Sequence, residues 1–227
     1  MNHHDHHHHH HHHGQGESEV TPVISYENGV ITIELYDQHH KAPELDVSHE
    51  KEMHLLIVSA DLETYYHGHP VKKSEGIYTL AKPLVDGYYK VYVDIAPKDL
   101  NYSVAPITLK VGAPAEEYHK PQLTVDTELV KTVNGYTAEL TPRSFKANEE
   151  ITLHFDLKGA TPEPYLGALG HVVILDESGE TYIHVHPVSN DQTKFDAMFT
   201  EPGIYKLWAE FQFEGQVNVY AYVIDVQ

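Results

Sequence analysis

Residues 54–71 read His-Leu-Leu-Ile-Val-Ser-Ala-Asp-Leu-Glu-Thr-Tyr-Tyr-His-Gly-His-Pro-Val, and residues 171–188 read His-Val-Val-Ile-Leu-Asp-Glu-Ser-Gly-Glu-Thr-Tyr-Ile-His-Val-His-Pro-Val. The two stretches align without a gap at an offset of 117 residues. Each has a lone histidine, His54 or His171, followed 13 residues later by a His-x-His-Pro, which supplies His67 and His69 or His184 and His186. Self-similarity of this length implies two related domains. Within each copy, short apolar runs are punctuated by turn residues, the signature of strands.

The repeat extends outward. Tyr78 matches Phe195 at the same offset. One residue is then lost, and Gly87-Tyr88-Tyr89-Lys90-Val91-Tyr92 matches Gly203-Ile204-Tyr205-Lys206-Leu207-Trp208. Asn28-Gly29 and Asn134-Gly135 read as matching early turns. In the first half, strands are expected at 30–35, 54–58, 64–67, 76–80, 88–93 and 107–111. In the second they are expected at 123–125, 136–140, 151–157, 171–175, 181–186, 194–199, 205–213 and 217–226. No stretch sustains a helical period. About seven short strands per half predicts an all-β chain of two tandem immunoglobulin-like β-sandwich domains.

The expected domains are 20–111 and 122–227, joined by a linker at 112–121 that contains two prolines and a glycine. Residues 1–19 hold eight consecutive histidines, His6 to His13, and read as a disordered His-rich segment. Two origins stand for it: a purification tag, or a native metal-scavenging tract.

Asp and Glu total 34 against 15 Lys and Arg, a formal charge of −19. Such a surface disfavours nucleic acid and attracts cations. There are no cysteines and only three methionines, which excludes thiolate zinc and blue-copper sites and leaves imidazole and carboxylate as metal donors. No apolar run is long enough to span a membrane.

In a strand, residues i and i+2 share a face. His184 and His186 therefore point together, away from the core that takes Ile183 and Val185. A four-residue loop, Asp176 to Gly179, would pair Leu175 with Glu180 and so His171 with His184. A register slipped by two residues would set His171 against His186 instead. The same arithmetic sets His54 against His67, with His69 two further on. The expectation is two metal sites, His171/His184/His186 and His54/His67/His69, holding zinc or copper. Glu210 and Asp94 are weaker candidates for an acidic ligand, since each falls on the outer face of its strand. Gly167 and Gly170 precede His171 and suggest a bulge or close approach that the first half lacks, which favours the second site. The alternative is that these histidines are surface residues or pack the two domains together. Tyr65, Tyr66 and Tyr182 lie beside them, and Trp208 falls on the outer face.

No phosphate loop, nucleophile elbow or His-Glu-x-x-His is present, so no enzyme activity is expected.

Leu166-Gly-Ala-Leu-Gly-His171, Tyr182-Ile-His184-Val-His186-Pro187 and the Pro202-to-Gln212 run together resemble the YtkA-like/FixH-like exported β-sandwich domains of bacteria. The match covers about 60 residues of the second half and is weaker in the first. The resemblance implies an extracytoplasmic protein, secreted or held as a membrane-anchored lipoprotein. The function expected is zinc or copper buffering or delivery. The partners would be the metal ion and a membrane metal transporter or metalloenzyme. The competing class is a cell-surface interaction or scaffold module without metal.

Overall fold

At residues 30–35 the alternating sequence Val-Ile-Thr-Ile-Glu-Leu buries Ile31, Ile33 and Leu35 and turns its polar residues outward, as a strand with one core face must. The computed structural model describes residues 17–115 and 120–227. Residues 1–16 of the His-rich segment and 116–119 of the linker lie outside the described residues.

The first domain contains β1 (Val20–Glu27), β2 (Val30–Asp37), β3 (Leu45–Asp46), β4 (Met53–Ser59), β5 (Tyr65–Gly68), β6 (Val71–Ser74), β7 (Ile77–Ala81), β8 (Gly87–Pro97) and β9 (Ile107–Val111). The second contains β10 (Val130–Val133), β11 (Tyr136–Thr141), β12 (Glu150–Asp156), β13 (His171–Asp176), β14 (Tyr182–Ile183), β15 (Val185–Pro187), β16 (Lys194–Met198), β17 (Gly203–Phe213) and β18 (Gln216–Val226). Sheets β1-β2-β7-β6 and β3-β8-β4-β5, with β9 also on β8, enclose the first core. Sheets β10-β11-β12-β16-β15 and β14-β13-β17-β18 enclose the second. The chain is thus all-β, two tandem immunoglobulin-like sandwiches. Asn28-Gly29 and Asn134-Gly135 sit at matching hairpin turns with both residues at positive φ, 49° and 78° in one, 48° and 82° in the other. Several expectations change. Leu123 to Val125 is not a strand, β1, β3, β6 and β10 had not been anticipated, and 181–186 breaks into two strands. Ser18 and Glu19, assigned to the His-rich segment, bond to the 101–103 backbone of the first sandwich.

A third core lies between the domains. Leu56, Val58, Leu62 and Tyr92 of the first pack on Val173, Leu175 and Trp208 of the second. These are outward-facing residues: β4 sends Leu55 and Ile57 to its own core and Leu56 and Val58 across the gap. Strands buried on both faces read as continuous apolar runs, which accounts for Leu55-Leu56-Ile57-Val58 and Val172-Val173-Ile174-Leu175. The domains therefore dock through equivalent sheets, face to face.

The contacts are reciprocal, as across a twofold axis. Tyr65 donates to Glu210 of the other domain at 2.9 Å, and its counterpart Tyr182 donates to Asp94 at 3.0 Å. Lys206 Nζ donates to the Leu62 carbonyl at 2.7 Å, and its counterpart Lys90 donates to the Ser178 carbonyl at 2.6 Å. His54 and His171, also counterparts, stack with centroids 6.0 Å apart and planes 7° from parallel, which places the approximate axis between them.

The two His-bearing hairpins differ from the expected register. β4 pairs Leu56 with His67 and Val58 with Tyr65, and β13 pairs Leu175 with Tyr182. Each loop spans six residues rather than four. His54 is thus not opposite His67. By continuation of the ladder it lies opposite His69.

Candidate metal centre

Histidines 54, 67 and 69 stand on the docking face beside Leu56 and Tyr65, because β4 and β5 alternate in step. Their ring centroids lie 5.3 Å (His54–His67), 5.0 Å (His54–His69) and 4.8 Å (His67–His69) apart. All three offer a ligand nitrogen within 4.8 Å of the others. From the second domain, β17 brings Glu210 and β13 brings His171 to the same point, and His67, His171 and Glu210 form a second group within that limit.

Neighbours fix the tautomers. Nε2 of His54 donates to the Ser48 carbonyl at 2.7 Å, leaving Nδ1 as a lone pair. Nδ1 of His67 donates to Glu210 at 2.9 Å, leaving Nε2 as a lone pair. Those two lone-pair nitrogens face each other at 3.2 Å. The contact is attractive only if a further proton or a cation lies between them. Nε2 of His69, buried at the same place, has no hydrogen-bond partner. A proton can serve one such pair, whereas a metal ion serves all three nitrogens.

Burial disfavours the charged forms of His54 and His69. Desolvation pushes His54 down to about 4, against the upward pull of the Ser48 carbonyl and with help from His67 and His171. It pushes His69 down to about 3, with His67 and His54 adding to the effect. Burial alone would raise Glu210, but hydrogen bonds from His171 and His67 outweigh it and hold the carboxyl well below its usual range. Glu210 also accepts from Tyr65 and, at 3.2 Å, from Tyr165. Desolvation, followed by the Glu210 charge, keeps the Tyr65 phenol protonated far above its ordinary value.

The expected grouping of His171, His184 and His186 is not what forms. His171 joins the first domain's cluster through Glu210, at 3.2 Å, and stacks 4.7 Å from His67. His184 falls between β14 and β15, where the chain leaves one sheet for the other: Ile183 pairs with Ile174, Val185 with Ala197. In the first domain the same crossover comes two residues later, after Gly68 has paired with Leu55. The residues around the crossover differ between the domains. A Cβ on Gly68 would lie 2.8 Å from Leu80 Cδ2 and 2.8 Å from Tyr66 Cε1. The second domain has Val185 there, with Ala197 and Ile183 in place of Leu80 and Tyr66. His184 and His186 are exposed at the rim of a cavity on the other side of the axis, with Asp94 and His49.

The turn before His171 also differs from expectation. Tyr165 bridges Ala168 around Leu166 (φ 55°) and Gly167 (φ 81°), and Ser48 bridges Lys51 around His49 (φ 48°) and Glu50 (φ 65°). The first domain has the same turn with side chains that tolerate it less well. Only Gly170 is peculiar to the second: a Cβ there would fall 2.5 Å from the Phe211 ring. Sequence reasoning missed His49, Tyr165 and the tyrosine bonds to Glu210 and Asp94. The detectable signal was the tyrosine paired with an acid in both repeats.

The family described as "Domain of unknown function (DUF8832)" matches residues 17–113 and again 131–227. No curated protein matches the chain. Among solved structures, the chain is similar to a two-domain fibronectin type-III segment from chicken tenascin, at 10% identity and TM-score 0.29, covering 90% of this chain and 97% of that one. It is also similar to the Escherichia coli adhesin FdeC, at 14% identity and TM-score 0.27, covering 93% and 65%. A third is a biofilm-associated protein's BSP domain, at 13% identity and TM-score 0.26, covering 92% and 30%, so this chain spans under a third of that one. Among the described residues no helix is long and apolar enough to cross a membrane.

Proposed function

The chain belongs to that family, in two tandem copies, and we propose that the pair forms one interdomain zinc centre with a buffering or delivery role outside the cytoplasm. Nδ1 of His54, Nε2 of His67 and Nε2 of His69 are the ligands. Glu210 accepts the His67 Nδ1 proton and so aims the ring, the carboxylate–histidine arrangement that raises ligand basicity. His171 and Tyr65 hold Glu210 in turn.

The observation that carries this reading is the set of three buried imidazole nitrogens, two of them lone pairs 3.2 Å apart and the third unpartnered. Ligands on a tetrahedral zinc, with Zn–N near 2.05 Å, lie about 3.3 Å apart. Three imidazoles with an open fourth position are a ligand set that zinc takes in exchangeable sites. Three protein ligands leave a position for water or for a ligand from a partner. That suits exchange with a transporter or metalloenzyme better than a purely structural site. The kinship with YtkA-like and FixH-like exported domains, and the lipid anchor or secretion it implies, belong to this proposal. The His tract, where native, would add low-affinity capture.

One observation favours the other reading, a scaffold module with interdomain histidines: the apolar core around Trp208 and Tyr92 holds the domains without an ion. Zinc content after equilibrium dialysis separates them. Wild type should retain one tightly held equivalent that is lost in His54→Ala/His67→Ala/His69→Ala and kept in His184→Ala/His186→Ala. Equal retention by wild type and the first variant would support the scaffold.

A further inference from the structure

Across the approximate twofold axis from the closed cluster lies its open counterpart. Asp94 stands where Glu210 does, Tyr182 where Tyr65 does, His184 and His186 where His67 and His69 do. In the closed half the acid holds two imidazoles and two phenols. In the open half Asp94 is one methylene shorter, and the early crossover at His184 carries the two imidazoles outward. The result is a cavity of about 440 Å³.

The cavity abuts the closed cluster. Its wall includes exposed His184 and His186 at the rim, Asp94 and half-buried His49, and His54 and His171. His54 is 3% exposed and is itself a ligand of the closed centre, so the two share one residue. Imidazoles are spaced along the way. His184 and His186 lie 6.5 Å apart, and His49 lies 6.0 Å from both His54 and His171. His49 holds this place with a left-handed backbone (φ 48°), as its counterpart Leu166 does in the second domain (φ 55°).

We propose that this open pocket is a second, labile zinc site through which the closed centre is loaded and emptied; the proposal rests on the closed cluster being a zinc centre. A divalent ion entering a buried site must shed its water. Exchanging waters for imidazoles one at a time, along donors roughly 6 Å apart, avoids a bare ion at any step. Wide spacing and exposure keep the pocket's own affinity low, because fewer donors reach the ion together. Tight binding and fast exchange would then reside in different halves of one interface.

Zinc alone is the probe, with full-length protein throughout. Equilibrium affinity is measured by chelator competition, and release by mixing protein carrying one equivalent with excess chelator. In His184→Ala/His186→Ala, in Asp94→Asn and in His49→Gly, the tight equivalent should keep its affinity to within about twofold. Its loading and release rates should both fall tenfold or more. Wild type should bind a second, weaker folded-domain equivalent that the double variant lacks. His49→Gly relieves the strained backbone, so a melting temperature held or raised alongside slowed exchange separates a transfer role from a structural one. Unchanged rates would overturn the proposal. A tenfold loss of equilibrium affinity would also overturn it, by making these residues part of the tight centre. Absence of any tight equivalent in wild type, beyond what the triple His54/His67/His69 variant retains, would instead refute the zinc centre itself.

Discussion

The two halves of the docking interface began as copies and now do opposite things with the same residues. Around Glu210 the donors converge and are buried; around Asp94 they spread and are wet. The divergence does not lie in the histidines, which both copies keep. It accompanies Gly68 against Val185, Tyr66 against Ile183 and Leu80 against Ala197 where the chain leaves the sheet, and Glu210 against Asp94, which sets how far the acid reaches.

Removing the acid should break the comparison most. Glu210→Ala strips four donors of their acceptor inside a buried site and should cost about 3–5 kcal/mol by denaturant unfolding. Asp94→Ala, which frees one phenol, should cost about 1 kcal/mol. Equal losses would mean the halves are alike. Next comes Gly68→Val, which installs the second domain's residue in the first. Overpacking should cost about 1–3 kcal/mol, and zinc affinity should fall at least tenfold as His67 and His69 are displaced. An intact zinc site in that variant would show that the close packing at Gly68 does not place His67 and His69.

The pH dependence has a definite sign. His54 and His69 are pushed down to about 4 and about 3 in the fold, against about 6.5 in the unfolded chain. The unfolded chain therefore binds protons that the fold refuses. Metal-free stability should be full above pH 6.5 and fall as pH drops toward 4 and 3. His54→Ala/His69→Ala should flatten that window; a curve that keeps its slope contradicts the assignment. The smallest effect belongs to His69→Ala alone. It deletes an unpartnered buried nitrogen, so metal-free stability should change by under about 1 kcal/mol while zinc affinity drops.

Much of this was legible in the sequence. The offset of 117 residues, the strand pattern and the outward face of the histidines all follow from periodicity, and Glu210 and Asp94 were placed on that face by counting from their lysines. The register was not legible, because a six-residue loop and a four-residue loop give the same facing and differ only in who sits opposite. The docking of the domains stood only as an alternative. Its signal was present in Leu55-Leu56-Ile57-Val58, since a half-buried strand alternates and this one does not. The crossover at His184 could not be read at all, because where a chain changes sheets is set by tertiary packing that no local pattern encodes. His49 escaped notice because its turn is recognisable as glycine-rich only in the second copy.

The most direct test of the central claim is zinc-edge X-ray absorption on the full-length chain loaded with one equivalent. The account predicts three imidazole nitrogens at about 2.0 Å plus one water oxygen, falling to two imidazoles in His69→Ala. A spectrum identical in wild type and in His54→Ala/His67→Ala/His69→Ala would place the ion elsewhere and contradict the interdomain centre.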